Sequence, residues 1–177
     1  MTMNIVMLIA SQGFQEVEYA HTKQELSNVG ANITLVSDRA GKAMSHLGNT
    51  VSVGDISSIG HAKYDAIVLI GGPGAWEHLN IPAVHQLVQD AFRQNKIVAA
   101  ICISPRILAT AGVLHSKRAT GWDGDGKLAE IFKKYSVTYE QQPVVVDGRL
   151  ITATGPSAAT DFGKTIIRVL QGHTKNT

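Results

Sequence analysis

The sequence predicts an α/β fold built on a mostly parallel central sheet with helices on both faces. Two observations carry that expectation. Short unbroken apolar runs (Ile5 to Ala10, Ala66 to Ile70, Ile97 to Ile101) lack polar alternation, as strands covered on both faces do. Helical stretches stand between such runs, so successive strands are joined by crossovers rather than tight turns. A length of 177 residues fits one domain, 1–177, with a substantial core.

Taken in order, Ile5 to Ala10 is the first strand. No basic residue precedes it and Ser11-Gln12-Gly13 follows at once, so it is too short for a signal or membrane segment. Glu16 to Val29 is a helix, closed by Gly30 in the C-terminal cap. Ile33 to Val36 is the next strand. The Gly-punctuated, alternating residues 41 to 59 form a small hairpin or edge excursion. Ala66 to Ile70 is a buried strand ended by Gly71-Gly72-Pro73-Gly74, and Pro82 to Gln94 is a helix. Ile97 to Ile101 is the most apolar strand, with Cys102 at its carboxyl end. Ser104-Pro105 opens another helix, since proline is tolerated in a first turn. Lys127 to Tyr135 is helical, Val144 to Ile151 a hairpin on an Asp147-Gly148 turn, and Ala158 to Leu170 the closing helix.

Sixteen Lys and Arg face 14 Asp and Glu, a net charge of +2 without any basic run of five, which excludes a nucleic-acid footprint. The expected partner is a small molecule or another protein, and the expected compartment is the cytoplasm. A single Cys excludes a disulfide framework or a Cys-based zinc cluster, and the seven His show no metal-binding spacing. Asp123-Gly-Asp125-Gly is not a calcium loop, because its twelfth position is Lys134 rather than a bidentate Glu. Asn32-Ile-Thr34 matches a glycosylation acceptor, without meaning in a cytosolic strand.

Ligands of such sheets bind beyond the carboxyl ends of the strands. Three segments reach that rim: the turn before Glu18, Gly71-Gly72, and Cys102. A cysteine in an apolar run is ordinarily inert core. This one ends a buried strand just before a helix N-terminus, the setting of a nucleophile elbow that thrusts its sulfur toward solvent and favours a thiolate. Glu16 and Glu18 could simply be exposed acids at a helix start. At about 100° per residue they point some 200° apart, however, and only Glu18 borders the apolar stripe of Tyr19, Leu26 and Val29. Glu18 is therefore expected half-buried, its pKa raised by desolvation, as a proton donor or shuttle beside the sulfur. Gly71-Gly72-Pro73-Gly74 lacks the third glycine of a dinucleotide fingerprint. It is either a plain turn or the source of an oxyanion hole made by the Gly72 and Ile103 amides. Gly155-Pro156-Ser157 lies at the mouth of this rim, with Ser157 as a helix N-cap.

Together these residues resemble the DJ-1/PfpI superfamily over nearly the whole chain. Gly13-Phe-Gln-Glu16-Val-Glu18 is similar to its glutamate motif, Tyr64 to Gly72 to its oxyanion strand, and Ala99-Ala-Ile-Cys102-Ile-Ser-Pro105 to its elbow. Val144 to Gly148 and Thr154 to Ser157 resemble its C-terminal hairpin and loop. The resemblance implies a flavodoxin-like three-layer sandwich, a homodimer or higher homo-oligomer, and Cys102 with Glu18 as a reactive pair needing no metal or organic cofactor. It also implies glyoxalase- or deglycase-like chemistry on small carbonyls; a cysteine peptidase or amidase and a redox-sensing stress protein are the alternatives. Ile103 stands where the protease branch has histidine, and Trp122 near where the DJ-1 branch commonly has one. Trp122, Asp123, Gly155 and Pro156 are accessory candidates, with Asp125 or a histidine from a second subunit also in view for the third catalytic group.

Overall fold

A computed structural model describes residues 2–59 and 63–174. The strands are β1 (Asn4–Leu8), β2 (Gln12–Phe14), β3 (Asn32–Ser37), β4 (Gly41–Ser45), β5 (Thr50–Asp55), β6 (Ala66–Leu69), β7 (Ile97–Ile101), β8 (Arg118–Ala119), β9 (Thr138–Tyr139), β10 (Val144–Asp147) and β11 (Leu150–Ala153). The helices are α1 (Glu16–Asn28), α2 (Ala75–Leu79), α3 (Pro82–Arg93), α4 (Ser104–Thr110), α5 (Leu128–Lys134) and α6 (Ala159–Thr174), with single 3-10 turns at Ile56–Ser58 and Pro156–Ala158.

Nine strands form one sheet in the order β10-β11-β7-β6-β1-β3-β5-β4-β2, and β8 pairs with β9 alone. From β11 to β5 every neighbour is parallel; antiparallel pairs occur only at β10–β11 and β4–β5. The expected α/β architecture is therefore present. Every residue of β6 and β7 is at most 1% exposed, because helices cover both faces of these strands. α1 and α6 pack together on one face; α2, α3, α4 and α5 pack on the other. The chain leaves β1 toward β3 and leaves β6 toward β7, so the direction of winding reverses between β1 and β6. A crevice opens at that reversal, at the carboxyl ends of the strands.

Several local expectations need correction. β2, β8, β9 and α2 were not legible in the sequence, each being too short to show a period. Asp147 pairs with Leu150, so the last hairpin turns on Gly148-Arg149 rather than on Asp147-Gly148. Only Gly148 has positive φ (62°), the pattern of a type II′ turn with glycine first. The 3-10 turn absorbs Ser157, leaving Ala158, not Ser157, just before α6.

Candidate active site

The sharp bend at the end of β7 forms because the chain must leave a buried parallel strand and begin α4 within two residues. Cys102 occupies that bend with φ of 66°, a region costly for a side chain with a Cβ. Its backbone is held from both sides: its N–H donates to the Ala153 carbonyl at 2.9 Å, and its carbonyl accepts from the Trp122 N–H at 2.7 Å. Ser104, the first residue of α4, donates its hydroxyl to the Ile70 carbonyl at 2.9 Å and ties the elbow to the end of β6. Cys102 is only 9% exposed and lines a cavity, so it does not face bulk solvent as the elbow alone suggests.

Glu18 comes from the first turn of α1. Gln15 caps that helix, its side-chain oxygen accepting from the Val17 N–H at 2.7 Å. The buried stripe of α1 is Glu18, Thr22 and Leu26, whereas Val29 is 41% exposed. Glu18 is thus central in the buried face and fully buried, where the sequence placed it at the border. Gly71 clamps the same helix start twice. Its carbonyl accepts from the Gln15 N–H at 2.9 Å, and its N–H donates to Glu18 Oε2 at 3.0 Å. The other oxygen, Oε1, has no hydrogen-bond partner among the described residues.

The Cys102 thiol lies within hydrogen-bonding reach of the Glu18 carboxyl, and the backbone N–H groups of Gly72 and Ile103 point at the sulfur. Burial lifts the Glu18 pKa from 4.5 to about 7, against the lowering influence of Cys102 and the Gly71 amide. The Cys102 thiol is itself pushed up to about 12 by burial, by the Glu18 negative charge and by their hydrogen bond; the two amides act in the other direction. This corrects the expected free thiolate: desolvation and a neighbouring carboxylate outweigh the helix N-terminus and its amides. The two groups share one buried space, so their protonation is coupled, with the carboxyl raised toward neutrality and the thiol raised above it.

The pair opens on a cavity of about 310 Å³ lined by Gln15, Glu18, Gly72, Pro73, Cys102, Ile103, Trp122 and Pro156. The structure therefore gathers Cys102, Glu18, Gly72, Ile103, Trp122 and Pro156 around one space. Gly155 adjoins it, since a Cβ there would lie 3.9 Å from Glu18 Oε1. Asp123 and Asp125 are not part of the lining. Asp123 accepts from the Leu128 N–H at 2.8 Å and holds the start of α5. Asp125 pairs with both terminal nitrogens of Arg106, at 2.9 and 2.6 Å, which holds its carboxyl down at about 2. Neither acid is oriented toward the thiol.

Two participants escaped the sequence reading. In the sequence Gly71 reads only as part of a turn, yet a Cβ there would lie 2.5 Å from the Cys102 Cβ and 2.8 Å from Glu18 Oε2. Arg106 is 5% exposed in α4, its guanidinium 5.5 Å from the Trp122 ring and donating to the Trp122 carbonyl at 3.1 Å. The one available signal was a lone charge within the otherwise uncharged Ser104-Pro-Arg-Ile-Leu-Ala-Thr110.

Comparison with known proteins gives a consistent result. The chain matches the family model of the DJ-1/PfpI family over residues 3–169. It is 35% identical to an uncharacterized protein of Methanocaldococcus jannaschii, covering 94% of this chain and 82% of that one. It is 28% identical to a protein of Pyrococcus abyssi named a deglycase, covering 94% and 99%. A ThiJ/PfpI domain protein from Brachyspira murdochii superimposes with a TM-score of 0.90 at 27% identity, covering 97% of this chain and 98% of that chain.

Proposed function

The chain belongs to the DJ-1/PfpI family, and on that premise we propose that it converts small reactive 2-oxoaldehydes, such as methylglyoxal, into 2-hydroxy acids using Cys102 and Glu18. The observation that carries this reading is the pairing of the elbow thiol with a wholly buried carboxyl whose pKa lies at about 7. A group titrating near the operating pH takes and returns protons with little cost in either direction. The deglycase name of the Pyrococcus abyssi relative supports carbonyl chemistry.

The steps follow from those positions. The Glu18 carboxylate takes the thiol proton as Sγ bonds to the aldehyde carbon, and the Gly72 and Ile103 amides stand as donors for the oxygen that becomes negative. Glu18 returns the proton to that oxygen, giving a hemithioacetal. The carboxylate then removes the C–H proton of the same carbon while water gives a proton to the neighbouring ketone oxygen, leaving an enediol and hydroxide. Glu18 delivers its proton to the former ketone carbon as the hydroxyl on the sulfur-bearing carbon gives its proton back to the hydroxide, which leaves a thioester on Cys102. Water cleaves it to the 2-hydroxy acid and regenerates the thiol. No net oxidation occurs, because one carbon is oxidised as its neighbour is reduced. Peptide cleavage must also expel an amine, which calls for a positioned acid, and Ile103 puts an aliphatic side chain on that part of the wall.

The test is direct. Purified protein incubated with methylglyoxal is expected to release lactate, and Cys102→Ser is expected to abolish the release. An unchanged rate in Cys102→Ser would overturn the proposal.

A further inference from the structure

The cavity is a small one by the standard of ligand sites, about 310 Å³ against roughly 300–1,000 Å³ for ligand pockets in general. Its wall is almost wholly apolar. Once the reacting carbonyl is given to Cys102, Glu18 and the two amides, the rest of a ligand meets Pro73, Ile103, Trp122, Pro156 and the uncharged Gln15. No lining residue offers a positive charge to a carboxylate or phosphate. Trp122 is the one aromatic side chain among these lining residues, and its ring is braced from the protein side. Its backbone N–H donates to the Cys102 carbonyl at 2.7 Å, which fixes the chain here beside the elbow. Gly124 lies flat against it, since a Cβ there would come within 2.5 Å of Cζ2 and 2.6 Å of Cε2. The Arg106 guanidinium sits 5.5 Å from the ring and is itself anchored by Asp125. Despite these restraints Trp122 stays 38% exposed. A large apolar ring fixed beside a thiol, and not covered by the fold, gains its burial when a ligand arrives.

We propose that Trp122 is the specificity-determining wall of this cavity and selects carbonyl compounds whose second substituent is flat and apolar, aryl in preference to methyl. The proposal names a substrate class for the reaction above and rests on that reading for its kinetic arm. Arg106 and Gly124 are positioning residues, acting only through the ring.

The experiment compares kcat/KM for phenylglyoxal and methylglyoxal in wild-type protein, Trp122→Ala, Trp122→Phe and Gly124→Ala. The phenyl-over-methyl ratio is expected to fall by about tenfold in Trp122→Ala, the value of a single ring contact with its buried area. Trp122→Phe should keep most of the ratio, and Gly124→Ala should lower it with the tryptophan still present. A general loss of structure would lower both rates together and leave the ratio alone. A parallel arm measures binding of acetophenone and acetone by ligand-observed NMR, which needs no turnover and no ionised sulfur. Acetophenone should bind wild-type protein more tightly than acetone, with that advantage lost in Trp122→Ala. If neither aldehyde is consumed while acetophenone still discriminates between wild type and Trp122→Ala, the reaction is wrong and the wall is right. An acetophenone affinity unchanged in Trp122→Ala overturns the wall.

Discussion

At Gly71 three groups meet in a space that holds no methyl. A Cβ would lie 2.5 Å from the Cys102 Cβ, 2.8 Å from Glu18 Oε2 and 2.9 Å from the Ile101 carbonyl oxygen. Two of these three belong to the reactive pair, so strain from a side chain is passed straight to them. Gly71→Ala should therefore lower thermal stability by about 1–3 kcal/mol, the usual cost of overpacking, and abolish turnover. Glu18→Gln separates two roles of the carboxyl. Removing its charge takes away a cause of the raised Cys102 pKa, so alkylation of the thiol by iodoacetamide at pH 8 should accelerate. Turnover should nevertheless disappear, because an amide cannot shuttle the proton. Slower alkylation would mean that Glu18 serves the sulfur as a hydrogen-bond donor. In the wild type, turnover should rise as pH passes upward through about 7, where Glu18 becomes the base.

The helix carrying Glu18 is set in place by its neighbour. α1 lies against α6, and Gly163 faces α1 closely: a Cβ there would lie 2.8 Å from the Glu25 Cβ and 3.4 Å from the Thr22 carbonyl oxygen. Alanine would gain about 1 kcal/mol of helix propensity over glycine there. The clash is with atoms close to the backbone of α1, which cannot swing away, so it should win. Gly163→Ala is expected to be destabilising by denaturant unfolding, and to impair turnover by moving α1. A stabilised variant with normal kinetics would show that the two helices can part freely. The same element explains a limit of the sequence. The buried stripe of α1 contains Glu18 and Thr22 with a single large aliphatic residue, Leu26, so periodicity of apolar residues could find the helix but not its inner face. α3 is the opposite case: Val84, Val88 and Ala91 mark its buried side plainly.

For the molecule as a whole, the shifted acids predict how stability varies with pH. Asp125, held at about 2 by Arg106, contributes stability present above its ordinary value of 3.8 and lost as pH falls toward 2. Glu16, Asp38, Asp55 and Asp90 are also lowered and act in the same sense. Glu18 has the opposite sign. Its folded-state pKa is raised from 4.5 to about 7, so the folded state is favoured while Glu18 is protonated and that advantage is lost as pH rises through this interval. The loss amounts to about 3 kcal/mol at 1.36 kcal/mol per unit. His85, whose pKa burial lowers, gains stability with pH over part of the range, but its shift is the smaller. Urea unfolding should therefore show a maximum near pH 5, with a decline toward pH 8 that Glu18→Gln removes. A wild-type curve that is flat between pH 5 and 8 would contradict a buried titrating carboxyl.

The sequence by itself determined the parallel α/β order, the elbow at Cys102 and the convergence of three segments on one rim, because buried strands and capped helices are local patterns of hydrophobicity and turn chemistry. It could not determine the charge state of the sulfur. That depends on how completely residues distant in sequence, such as Gly71 at 53 positions from Glu18, exclude water from Glu18 and Cys102, and desolvation is a property of packing alone. Gly71, Arg106 and the short strand β2 were hidden for the same reason. Each has a role only through a partner distant in sequence, and in isolation reads as a turn glycine, a surface charge and a polar loop.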